Sequence, residues 1–188
     1  SNGQGFIANL TLEELKTYEF RNGMEDLEDE STDNIKIPTL VEFLDWFQTT
    51  DIMVNIELKT SYFAYDEMAG ITVDLVKERG LEDRVIFSSF NHFSIQAIKE
   101  IDSNIACGFL TVANILNPGQ YCKKYGVEHY HPMFVSALLN PEIVKECKDL
   151  NVGINAYTAN EREHIQALLD LGIEGIITNE VELAMTLV

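Results

Sequence analysis

Residues 51–60 read DIMVNIELKT, and the fold turns on how this stretch is read. Ile52, Met53, Val54, Ile56 and Leu58 form an apolar run suited to a buried strand, yet its far end carries Glu57 and Lys59. Strand side chains alternate, so Asn55, Glu57 and Lys59 share one face while Val54, Ile56 and Leu58 share the other. A strand whose charges collect at its carboxyl end fits a parallel sheet, where sites form at that end.

Five further runs follow, the first after a longer gap and the rest at a near-constant interval: 85–90, 105–110, 127–131, 152–157 and 175–178. Segments with helical spacing separate them, at 64–80, 92–102, 113–125, 140–150 and 160–172. Asn140 before Pro141, and Asn160, read as helix starts, and Gly80, Gly126 and Gly172 as helix stops. Strands alternating with helices in this way predict parallel βα units, all within one domain spanning residues 1–188.

Six units fall short of a (β/α)₈ barrel of roughly 250 residues by about two units. The expected fold is an α/β TIM barrel with its first two strands absent, because residues 1–50 contain no comparable strand. They hold instead two helix starts with capping-box spacing, Thr11 to Glu14 and Thr39 to Glu42. Between these lies MEDLEDESTDN, residues 24–34, which reads as a solvated loop or as a segment binding a cation or partner. The opening SNGQGF reads like the middle of a protein.

The net charge of −18 on 188 residues repels phosphate backbones, which argues against nucleic acid. No apolar run is long enough to span a bilayer, so stable membrane insertion is not expected. Cys107, Cys122 and Cys147 lack CxxC spacing and read as reduced thiols, which favours the cytoplasm. A leader before Ser1 would instead make the protein secreted, and the sequence leaves oligomer formation open.

In a barrel the face bearing Glu57 and Lys59 points inward, and the charges sit at the mouth. Spacing alone leaves two readings: a structural ion pair closing the barrel top, or a carboxylate for Mg²⁺ or Ca²⁺ beside an ammonium for phosphate. His129 and His131 share one face of their strand, but with no third ligand evident they read as pocket-lining or structural rather than metal-binding. Tyr157 and Asn155 share a face of theirs, and Tyr157 reads equally as packing or as a wall facing a ligand. Ser88 and Ser89 lack the flanking glycines of a nucleophile elbow.

The segments SNGQGFIANLTLEEL, IPTLVEFLDWF, NIELK, GLEDRVIFSSFNHFSIQAIKEID, HYHPMF, LLNPEIVKECKDLNVGINAYTAN and LLDLGIEGIITNE occur here in this order. As a series they resemble the glycerophosphodiester phosphodiesterase family from residue 1 to about Glu180. The resemblance implies a (β/α)₈ barrel that uses a divalent cation to hydrolyse glycerophosphodiesters to glycerol 3-phosphate and an alcohol. It implies that Glu57 is a metal ligand and that Lys59 is a catalytic cation facing the phosphate. It places Tyr157 where the family usually has tryptophan, as a substrate-binding wall, and His131 at an HP segment near the mouth, also as substrate-binding. Asn179 falls where an Asp or Asn closes the last strand, in a structural position.

The family's His-Arg-Gly and His-Asp segments do not occur in this sequence, and none of its strand runs carries the Glu-x-Asp pair. The resemblance therefore implies that the two catalytic histidines and two further metal carboxylates lie upstream, and that residues 1–188 alone are inactive. None of His92, His129, His131 or His164 stands at either histidine's position. The rival readings are a related phospholipase-type phosphodiesterase and a ligand-binding barrel fragment without catalysis.

Overall fold

A computed structural model describes residues 1–20 and 35–188. The acidic stretch 24–34 lies outside the described residues. The chain divides into two compact units, Ser1–Asp51 and Ile52–Val188.

In the first unit, a 3-10 turn at Ile7–Asn9 precedes helix α1, Leu12–Thr17, and helix α2 spans Leu40–Phe47. Both helices start with the expected capping box. Thr11 accepts from the Glu14 amide while the Glu14 carboxylate accepts from the Thr11 amide, and Thr39 and Glu42 repeat the pattern. Lys16 Nζ donates to Glu42 at 2.7 Å and links the two helices. With that partner and the cap, the Glu42 carboxyl is held down to about 2.

The second unit carries six strands: β1, Val54–Glu57; β2, Val85–Ser89; β3, Ala106–Thr111; β4, His129–Pro132; β5, Gly153–Tyr157; and β6, Gly175–Ile177. All pair in parallel and in sequence order. Between them run α3, Met68–Lys77; α4, His92–Ile101; α5, Pro118–Tyr125; α6, Phe134–Leu139; α7, Pro141–Asp149; and α8, Arg162–Asp170; α9, Val181–Met185, follows β6. The six predicted strands and five predicted helices of this unit are all present, with ends displaced by a few residues. Helices α6 and α9 were not expected.

Partnered residues in a parallel ladder point to the same side, so the register sorts every strand residue by face. Glu57 pairs with Ser88, Ser88 with Gly108, Gly108 with His129 and His129 with Gly153; Leu110 pairs with His131 and Asn155 with Gly175. The opposite face holds Val85, Phe87, Cys107, Phe109, Tyr130, Ile154 and Ala156, all buried. That apolar face is the core against the helices.

The sheet curls. The Phe90 and Tyr157 rings, at the ends of β2 and β5, meet edge to face at 5.8 Å although β3 and β4 lie between them. Strands in a flat sheet would hold such positions about 14 Å apart, at roughly 4.8 Å per strand. The face bearing Glu57 is therefore concave, and the six strands form an arc of a barrel.

Two predicted helix starts work differently from the expectation. Asn140 precedes α7 but its side chain makes no cap; its Nδ2 donates to the Ser136 carbonyl. Asn160 is not the cap of α8, which begins after Glu161. Its Oδ1 accepts from the Asn179 amide at 2.9 Å and from Thr178, tying the end of β6 to the β5–α8 loop. Gly126 caps α5 with φ of 67°, a conformation that costs glycine no Cβ clash.

Candidate active site

β1 ends at Glu57, and the next residues are fixed by a set of short polar bonds. Leu58 N donates to the Ser88 carbonyl at 2.7 Å, and Ser89 Oγ donates to the Leu58 carbonyl at 2.6 Å. The Thr60 and Ser94 hydroxyls meet at 2.6 Å. Asn91 caps α4 through its Oδ1, which accepts from Phe93 N, while its Nδ2 donates to the Thr60 carbonyl. One side chain thus starts a helix and pins the segment that presents Lys59. Sequence reasoning missed Thr60, Ser89 and Asn91 as positioning groups; an Asn directly before a helical pattern was the available signal.

Lys59 Nζ stands 3.3 Å from Glu57 Oε1. The lysine side chain is 80% exposed and that of the glutamate 29%. The pair therefore occupies the solvent edge of the concave face rather than a closed interior.

Tyr157 is the next predicted residue around the rim. Its hydroxyl donates to the Thr111 carbonyl at 2.7 Å, crossing from β5 to β3. Burial, with Tyr130 and the charge of Glu57 adding to it, holds its phenol above the ordinary range.

His131 lies deeper. It is fully buried, and a Cβ at Gly108 would run into its imidazole. Asn155 Nδ2 lies 2.8 Å from His131 Nε2; with the amide as donor, the ring accepts at Nε2 and carries its proton on Nδ1. Burial, with His129 adding to it, lowers its pKa to about 3, so the ring is neutral at pH 7. A histidine expected near the mouth is instead part of the floor beneath it.

The other histidines serve elsewhere. His92 bonds to the Tyr121 hydroxyl and the Leu110 carbonyl, both at 3.0 Å, and stacks on Phe109. His164 packs on Phe134, and His129 stands at the amino end of β4 with its pKa lowered by burial. Among the described residues, no three His, Cys, Asp or Glu side chains come together as a metal site, and no helix is long and apolar enough to cross a membrane. For a divalent cation, Glu57 fits one ligand position. It is an anionic oxygen donor at a solvent-reachable rim, the mode in which Mg²⁺ takes one or two carboxylates and completes its shell with water and phosphate.

The sequence model of the Glycerophosphoryl diester phosphodiesterase family matches residues 1–183. The chain is 30% identical over 190 residues to a glycerophosphodiester phosphodiesterase of Caldanaerobacter subterraneus, covering 100% of this chain and 75% of that protein. It is 31% identical over 180 residues to one of Bacillus altitudinis, covering 95% and 72%. In fold it resembles an Oleispira antarctica phosphodiesterase solved in complex with the product sn-glycerol-3-phosphate. That likeness has a TM-score of 0.84 at 21% identity, over 98% of this chain and 74% of the other.

Proposed function

Because the chain belongs to the glycerophosphoryl diester phosphodiesterase family, we propose that its concave rim is the phosphodiester site of an enzyme hydrolysing glycerophosphodiesters to glycerol 3-phosphate and an alcohol. The observation carrying this reading is the Glu57–Lys59 pair at 3.3 Å, held at the carboxyl edge of a curled parallel sheet. The product bound to the Oleispira relative supports the substrate class. The family match spans both compact units, which supports reading residues 1–188 as one domain.

Glu57 would be one ligand of Mg²⁺ or Ca²⁺, which supplies polarisation of a phosphoryl oxygen when bound. The Lys59 ammonium, exposed and tethered by Glu57, offsets negative charge gathering on the phosphate in the transition state. The Tyr157 and Phe90 rings wall the glycerol carbons, and the neutral His131, fixed by Asn155, shapes the floor of the substrate pocket. Proton transfer falls to groups outside this set, since His92, His131 and His164 are engaged elsewhere. Residues 1–188 alone are then inactive. The buried, unpaired Cys107, Cys122 and Cys147 support a reducing, cytoplasmic setting.

The test assays glycerol 3-phosphate release with Mg²⁺ or Ca²⁺ for residues 1–188 and for a chain extended upstream by about two βα units. Turnover by the extended chain alone is expected. Equal turnover by both would place the proton-transferring groups within residues 1–188.

A further inference from the structure

The described chain is strongly acidic, yet its rim over β3 and β4 is not. No Asp, Glu, Lys or Arg occurs from Ser103 to Cys122, or from His129 to Pro141. Those stretches include the β3–α5 loop and helix α6, both at the carboxyl ends of their strands. They carry Leu116 at 92% and Leu139 at 71% exposure, with Val112 also exposed. The two segments adjoin: Leu116 and Asn140 line one cavity of about 310 Å³. Leucines so fully in water are costly to hold there, and the two segments that carry them hold no charged residue in a chain of net charge −18.

We propose that this rim rests on a zwitterionic lipid surface, with Leu116 and Leu139 entering the interface beside the mouth that holds Glu57. Charge selects the occupant. Glu142 and Glu146 border the patch on the same cavity, and with the net charge they repel anionic lipid and a second copy of this chain. A phosphocholine surface presents its cationic group outermost and is neutral overall, so it meets both the acidic border and the apolar leucines. Contact of this kind is interfacial and does not require a spanning helix.

The test is sedimentation of the upstream-extended chain with phosphatidylcholine vesicles and, separately, with phosphatidylglycerol vesicles at 0.15 M salt, each read against a sample without vesicles. Binding to the first and weaker binding to the second is expected. Leu116→Asp with Leu139→Asp lowers the partition coefficient at least about tenfold, since each buried leucine contributes more than a tenfold factor. Ile101→Asp, at an exposed isoleucine ending α4, leaves it unchanged. Thermal unfolding confirms that each variant is folded, and Leu116→Asn serves as a milder second variant. The proposal is overturned by no binding to phosphatidylcholine or by binding that the double variant keeps. It is overturned equally by a concentration-dependent dimer that the double variant dissociates, which would make the patch a contact between copies. Binding is read without turnover, so its failure leaves the hydrolase reading untouched.

Discussion

Lys59 Nζ and Glu57 Oε1 lie 3.3 Å apart, two residues from each other in sequence, with the lysine far more exposed than the glutamate. An ion pair in that setting adds at most about 1 kcal/mol to stability. Lys59→Met is therefore expected to leave the thermal midpoint nearly unchanged. In the active enzyme it should lower kcat about 10²- to 10³-fold, the effect of deleting one transition-state donor. Parallel calorimetry and steady-state kinetics check both halves; a large stability loss with normal kcat would make the pair structural.

Tyr157→Phe removes the hydroxyl that reaches the Thr111 carbonyl across β4. The expected loss is about 0.5–1.5 kcal/mol in urea unfolding. The ring is retained, so the wall against Phe90 persists and KM should rise less than for Tyr157→Ala. Equal KM changes in the two variants would remove the ring from the substrate wall.

His131 gives a pH dependence with a definite sign. Its folded pKa is about 3 against an ordinary value of 6.5, so the unfolded chain binds more protons between those limits. Stability is full above pH 6.5 and falls as pH drops through the window toward 3, at up to roughly 1.4 kcal/mol per pH unit. His131→Phe should flatten this slope, measured as the urea midpoint at pH 7, 6 and 5. An unchanged slope would mean that the imidazole is solvated and titrates normally.

At the amino end of the sheet, Lys99 Nζ donates to both Glu128 oxygens at 2.6 and 2.8 Å and to the Ile105 carbonyl at 2.8 Å, while Glu128 accepts from Cys107 N. The lysine side chain is 8% exposed, so Glu128→Ala leaves a nearly buried ammonium with carbonyl partners alone. The expected cost is about 1.5–3 kcal/mol, against less than about 0.5 kcal/mol for Asp149→Ala in the exposed pair with Lys145. Differential scanning calorimetry of the two variants makes the comparison.

The strands were legible because each presents a continuous apolar face to the helices at a regular interval, and this periodicity survives without knowledge of partners. Helix α6 was not, because FVSALL follows β4 directly and has no polar side to mark a helical period. Glu57 and Lys59 could be singled out because charge at the end of an apolar run is locally anomalous. The seat of His131 could not. It depends on Gly108 leaving room for the ring and on Asn155 lying beside it on the neighbouring strand, both matters of register. Asn160 likewise looks like a cap in one dimension, while its true partners, Thr178 and Asn179, lie one strand away.

Glu57 is proposed to hold the cation at the phosphodiester site, and the cation dependence of glycerol 3-phosphate release reads that role directly. Glu57→Gln keeps the size of the side chain and removes its charge. In the upstream-extended chain it should raise the half-saturating Mg²⁺ or Ca²⁺ concentration at least about tenfold, with the fold intact by thermal unfolding. A saturation curve identical to that of the unaltered enzyme would place the cation elsewhere and contradict the account.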